Sequence, residues 1–432
     1  IGRDDAAAPD DVIAFAAAYL WPERHPAAVA AVEMLAEAAS VRRARRHIAW
    51  CLSGWLTRAL RDAWDRGWQP ADLPRLAARQ LSEAHHGLCR DAIALEARSY
   101  LRGGVEPDAD WRLQLEEIGA LTWAVPDEML LDEWAASEPL VEVLQRVVEL
   151  LCLLARVPDQ PILIPPPCQW GRAGRRGGAP AAVGTAGDGR VLARVRALLA
   201  KAESTEFADE AEALSAKAQE LISLHAVDRA ALAGTDQPVD VVGRRIAVDN
   251  PYPQAKSVLL GTVAAANRCQ AVRSVEFGFS TVFGTADDLA AVELLYTSLL
   301  AQATATMLAT GSADRRRRLP SFRESFLASY AVRVGERLRD AADAAVGDGV
   351  ARHGDRLLPV LARRSDAVDA AVAAAFPRTS PSPLRASNDA GWAAGRAAAE
   401  LARLGPDHVL DASATHDDPA SGSGDLQLHL AV

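Results

Sequence analysis

Arg190–Ala233 reads RVLARVRALLAKAESTEFADEAEALSAKAQELISLHAVDRAALA, and this stretch decides how the second half of the chain folds. Its first part places Leu192, Val195, Leu199 and Ala202 at spacings of three and four, the period of one helix face. Its second part does the same with Ala211, Leu214, Ala218, Leu221 and His225. Between them lies S-T-E-F-A-D-E, Ser204–Glu210, which holds hydroxyl and Asp candidates for an N-cap. Its carboxylates suit the positive end of the helix that follows. A short turn between two amphipathic helices predicts a helical hairpin over residues 190–235.

Working outward, residues 236–404 predict a mostly helical α+β region. Ala271–Val275 and Phe279–Phe283 are short apolar runs separated by a turn, a two-stranded β element. Helices are predicted at about 252–267, 286–308, 321–345, 365–376 and 391–404.

The run L-L-A-K-A-E-S-T-E-F-x-x-E-A-E-A-L-x-A-K-A-Q-E-L, beginning at Leu198, resembles the signature of domain of unknown function 2786 (DUF2786), a bacterial and phage family. Four later stretches resemble the companion region of its actinobacterial-type members. They are G-T-A-D-D-L-A-A-V-E-L-L-Y from Gly284, S-F-R-E-S-F-L-A-S-Y-A from Ser321, L-L-P-V-L-A-R-R from Leu357 and G-W-A-A-G-R-A-A-A from Gly391. The resemblance covers about residues 190–404. Where the family favours methionine this chain has Ile222, a volume-conserving change. The resemblance implies an architecture and no activity.

Toward the N-terminus the pattern is helix after helix, and residues 1–155 predict an all-helical domain. Within Val41–Gly67, the residues Ile48, Leu52, Trp55, Ala59 and Ala63 form an apolar stripe. Eight of the ten tryptophans fall before residue 156, which favours a core of bulky side chains there. Residues 156–189 are dense in Pro and Gly and predict a linker. Residues 405–432, with five aspartates and neither Lys nor Arg, predict a disordered acidic tail. The expected fold class is therefore mainly α: a helical domain, then an α+β domain containing the hairpin and a small two-stranded element.

Composition narrows the function classes. The net charge of −10 argues against bulk nucleic-acid binding, which relies on excess cationic side chains. Five scattered cysteines without a C-x-x-C pair support neither a zinc ribbon nor a disulfide framework, and point to a reducing, cytoplasmic compartment. The residues around Asp4, Asp5, Asp10 and Asp11 are acidic where a secretory leader is basic. The most apolar run, Val147–Ala155, is interrupted by Glu149 and too short to cross a bilayer. No membrane partner is expected.

Only three lysines occur among 47 basic residues, and two of them, Lys201 and Lys217, lie in the hairpin. An ammonium is a compact point charge and a guanidinium a planar fork, so retained lysines mark positions worth testing. With Glu203, Glu206 and Glu210 they form the candidate binding set, read as the hairpin edge docking a protein partner. Ordinary caps and surface ion pairs would account for the same residues.

No catalytic residue, metal ligand or cofactor is assigned. H-E-x-x-H, a phosphate loop and G-x-S-x-G are all absent. His85 and His86 are adjacent and point about 100° apart on a helix, so they cannot grip one ion together. Two alternatives remain. Glu203, Glu206 and Glu210 with Asp287 and Asp288 would suit Mg²⁺ or Mn²⁺ in a hydrolase or nuclease, if the fold gathers them. Arg42, Arg43, Arg45 and Arg46, or Arg315–Arg318, would serve a DNA-associated protein, a reading not favoured by the acidic total.

Overall fold

The computed structural model describes residues 8–122, 125–170, 186–204, 208–233, 238–274, 276–311, 319–354, 356–382, 388–401 and 428–431. The chain divides into two compact units, residues 1–179 and 180–432.

The N-terminal unit is helical because apolar side chains recur at helical spacing and proline or glycine interrupts the runs between them. Its helices are α1 (Pro9–Tyr19), α2 (Pro26–Ala38), α3 (Arg42–Asp65), α4 (Asp72–Gln80), α5 (Glu83–Arg102), α6 (Ala109–Glu117), α7 (Leu130–Trp134) and α8 (Leu140–Arg156). Pro9 and Pro26 open α1 and α2 at a position where a missing N–H costs nothing. The buried stripe of α3 runs through Ile48, Leu52, Leu56, Leu60 and Ala63. That is one residue round from the predicted stripe. Trp55 is only half-buried, its indole N–H donating to Asp10 at 3.0 Å, and Leu56 takes the inward position. Helix α8 buries Val143, Leu144, Val147, Val148, Leu151 and Leu154, and so fills the middle of the unit.

The predicted linker divides in two. Residues 171–185 lie outside the described residues. Residues 157–170 pack on the helices. The Gln160 N–H donates to the Arg66 carbonyl at 2.8 Å, and the Trp68 indole donates to the Pro158 carbonyl at 2.8 Å. Trp170 meets Tyr100 and Trp111 edge-on, with centroids 4.8 and 5.7 Å apart. A proline-rich stretch forms no periodic structure, but its carbonyls remain free to accept and its rings to pack.

The C-terminal unit begins with the hairpin helices α9 (Ala186–Ser204) and α10 (Ala208–Ala233). Val195, Leu199 and Ala202 of α9 and Ala218, Ile222, Ala226 and Ala230 of α10 are buried, while Leu221 and His225 flank that stripe, half-exposed. There follow β1 (Val242–Ala247), α11 (Pro253–Ala266), β2 (Gln270–Ser274), β3 (Phe279–Gly284), α12 (Ala286–Gly311), α13 (Pro320–His353), α14 (Leu357–Ala375), β4 (Thr379–Ser382), α15 (Asp389–Leu401) and β5 (Leu428–Ala431).

The β element is larger than the predicted pair: a five-stranded sheet in the order β1-β3-β2-β5-β4. β1 pairs antiparallel with β3 from Val242 opposite Gly284 to Ala247 opposite Phe279, and β2 lies antiparallel on the other side of β3. β5 runs parallel to β2, and β4 antiparallel to β5. β5 lies inside the stretch predicted as a disordered tail; residues 405–427 of that stretch fall outside the described residues. Val282 and Ile246 join the core with Val258, Val263, Leu295 and Leu299, so α11 and α12 cover one face of the sheet. On the other face Phe283 meets Phe376, just past α14, edge-on at 6.0 Å. The protein is mainly α with a minor β element. Among the described residues no helix is long and apolar enough to cross a membrane.

Candidate functional site

The hairpin presents its outer edge through residues whose spacing placed them away from the apolar stripes. Lys201, Glu203 and Lys217 are exposed. Glu206 lies outside the described residues, and for Glu210 the helical backbone alone is described. Lys217 does not reach across the hairpin. Its ammonium sits 2.8 Å from the Glu220 carboxylate one turn along α10, with side chains 49% and 42% exposed. Such a pair contributes on the order of 0.3–0.5 kcal/mol.

Glu203 does face another element. With Arg196, Leu199 and Ala200 of α9 it lines a groove of about 510 Å³, opposite Arg244 of β1 and Ala290, Glu293, Leu294 and Thr297 of α12. Small and aliphatic side chains make up much of its lining, while charges of both signs complete the walls. On its β1–α12 side Arg244 and Glu293 are joined at 2.8 Å.

The acidic pair at the start of α12 lies elsewhere. Asp287, Asp288 and Thr285 line a pocket of about 20 Å³ with His225, Arg229 and Arg364. Thr285 and Asp288 cap the helix reciprocally: the Thr285 hydroxyl donates to the Asp288 carboxylate at 2.8 Å and accepts from the Asp288 N–H at 3.4 Å. Arg229 forms an ion pair with Asp287. Burial pulls the Arg364 guanidinium below its ordinary pKa; Asp288 opposes this, while Arg268 and Arg229 reinforce it. The volume suits a water or a single small group, so the cluster is an ionic tie joining hairpin, α12 and α14.

This arrangement separates Glu203 from Asp287 and Asp288, three of the carboxylates that a metal-dependent hydrolase would need together. Leu192 lines the pocket and Glu203 the groove, which are eleven residues, or roughly 16 Å, apart along α9. Asp287 is already neutralised by a guanidinium. Among the described residues no group of three or more His, Cys, Asp or Glu is placed to hold a metal ion.

The arginine clusters are likewise partly committed. Arg45 donates to Asp132 and to the Ala39 carbonyl, both at 2.8 Å, and Arg58 stacks over Trp55, while Arg42, Arg43 and Arg46 are exposed. Arg315–Arg318 lie outside the described residues.

With this geometry in place, the hairpin can be set against known proteins. Residues 190–229 match the family model described as protein of unknown function (DUF2786). The match spans α9 and α10 as far as Arg229, so the DUF2786 segment carries Glu203, Lys217, His225 and Arg229. No curated protein and no solved structure matches the chain. The partners of the DUF2786 segment, Arg244, Glu293, Asp287 and Arg364, come from beyond it. In the sequence Glu293 and Arg364 fall inside longer family-like stretches that assign them no site, and no motif marks Arg244. Arg244 sits in V-G-R-R-I-A, which has too few alternating apolar residues to announce a strand.

Proposed function

We propose that the protein is a non-catalytic interaction protein, and that its C-terminal unit docks an extended peptide segment of a protein partner along β1. The observation that carries this reading is the position of β1 at the sheet edge beside the groove. Among the described residues β1 pairs with β3 alone, leaving one row of backbone N–H and C=O groups open as a template for another strand. Arg244 connects that strand to the groove lined by α9 and α12. An added strand would place alternate side chains in the groove, over Leu199, Ala200 and Leu294 and among the charges of Arg196, Glu203, Arg244 and Glu293, with the others on the opposite face of the sheet. Glu203 keeps its candidate role. Lys201 and Lys217 extend the proposed edge along the hairpin, and Glu206 and Glu210 belong to the proposal by their sequence position. A cytoplasmic setting belongs to the same proposal, and the five free cysteines agree with a reducing compartment.

The test is selection of peptides from a displayed random library on the full chain, followed by hydrogen exchange on the complex. The reading requires protection of outer-edge amides in β1, and loss of binding in Leu294→Asp without loss of helical signal. Peptides that protect other segments, or that bind the Leu294→Asp variant equally well, would overturn it.

A further inference from the structure

A second cavity lies at the opposite end of the sheet strands, and its chemistry differs from that of the groove. It measures about 170 Å³, the size class of a benzene-sized guest. Its lining comes from the facing ends of β2 and β3, the start of α11 and the second turn of α13, and includes Arg273, Ser274, Phe279, Pro253, Gln254 and Glu324.

Three features make it a built site. Arg273 is 7% exposed, a guanidinium held inside the protein with burial pulling its pKa down. Ser274 is 4% exposed, and its hydroxyl has no hydrogen-bond partner among the described residues. A buried hydroxyl left unpaired is costly, and a ligand atom would satisfy it. α11 opens with no side-chain cap, and since Pro253 carries no N–H its free donors begin at Gln254, which lines the cavity. A guanidinium, a hydroxyl and a helix N-terminus together suit a carboxylate. Glu324 stands on the same lining with the opposite charge, which disfavours a polyanion and suits an ammonium. Phe279 and Val248 supply an apolar wall.

We infer that this cavity binds a small zwitterion, a free α-amino acid with an apolar side chain, its carboxylate on Arg273, Ser274 and the start of α11 and its ammonium on Glu324. The groove plays no part in this binding.

The experiment is a thermal-shift and calorimetric screen of the full chain. It uses the twenty common amino acids singly, each apolar one matched with the carboxylic acid lacking its amino group. At ligand concentrations on the order of 10 mM, one or more apolar amino acids should raise the melting temperature, and their matched acids should bind at least tenfold more weakly. Glu324→Gln and Ser274→Ala change a half-buried side chain near the start of α13 and an unpartnered hydroxyl, so both variants should fold. Each should lower the affinity fivefold or more. No shift with any amino acid would overturn the assignment, as would equal binding of the matched acids or unchanged affinity in both variants.

Discussion

Arg61 of α3 reaches Glu96 of α5 from the rim of the N-terminal unit. Its Nε lies 3.3 Å from a carboxylate that is 1% exposed, while the arginine side chain is 54% exposed. Trp64 donates its indole N–H to the other carboxylate oxygen at 3.3 Å. The two hydrogen bonds and the Arg61 charge lower the carboxyl pKa, but burial is the larger effect and pushes it up to about 7.

A carboxyl whose folded pKa lies above its unfolded value favours folding in its protonated form, so stability falls as pH rises from about 4.5 through about 7. The full shift corresponds to roughly 3 kcal/mol. Glu96→Gln removes this titration and keeps an acceptor for Trp64. Urea midpoints at pH 5 and pH 8 should therefore lie closer together in the variant than in wild type, with the variant the more stable of the two at pH 8. An undiminished gap would show that Glu96 is not the titrating group.

Glu149 of α8 behaves in the opposite sense. Its carboxylate lies 3.2 Å from His85 Nε2 and accepts from the Gln145 amide at 2.8 Å. Burial pushes its pKa up, but the hydrogen bonds from His85 and Gln145 and the nearby charges outweigh it and hold the pKa below the ordinary value. That stability is present at neutral pH and lost as pH falls through the folded pKa. Glu149→Gln should cost about 1–3 kcal/mol at pH 7, with the cost shrinking in acid. Chemical denaturation across that range reads the difference.

Two glycines test helix packing. A Cβ on Gly395 of α15 would stand 2.1 Å from the Phe326 carbonyl oxygen of α13, and one on Gly391 would stand 2.4 Å from that of Phe322. Gly395→Ala must push two backbones apart and should destabilise the C-terminal unit by about 1–3 kcal/mol. Gly347, exposed within α13, would meet nothing within 4 Å. Gly347→Ala should stabilise by roughly 0.5–1 kcal/mol through helix propensity alone. Calorimetry of both variants checks the contrast.

Lys217→Ala removes one partner of an exposed pair within a single helix. Its stability should stay within about 0.5 kcal/mol of wild type in thermal melts. A loss several times larger would mean that Lys217 holds something beyond Glu220.

Helix existence was legible where periodicity was long. The predicted strands at 271–275 and 279–283 became β2 and β3, and the helices flanking them emerged within a few residues of their expected bounds. β1, β4 and β5 were not legible. β1 contains Gly243, Arg244 and Arg245, β4 is the four residues Thr379–Ser382 with a proline among them, and β5 is four residues of an acidic stretch. Strands this short are specified by their neighbours more than by their own composition. Gly391 and Gly395, one turn apart, let α15 approach α13 at Phe322 and Phe326, a partner that no local pattern names.

By itself the sequence determined the mainly helical class, the hairpin at its centre and the outward face that carries Lys201, Glu203 and Lys217, because these depend on side-chain spacing along one chain segment. Tertiary structure alone decided that Glu203 faces Arg244 across a groove, and that Asp287 meets Arg229 well away from Glu203. It also decided that Arg273, Ser274 and Glu324 share a cavity. These pairings join residues from different elements, dozens of positions apart in the chain. Their geometry follows from how helices and strands pack around a common core, which no local period encodes.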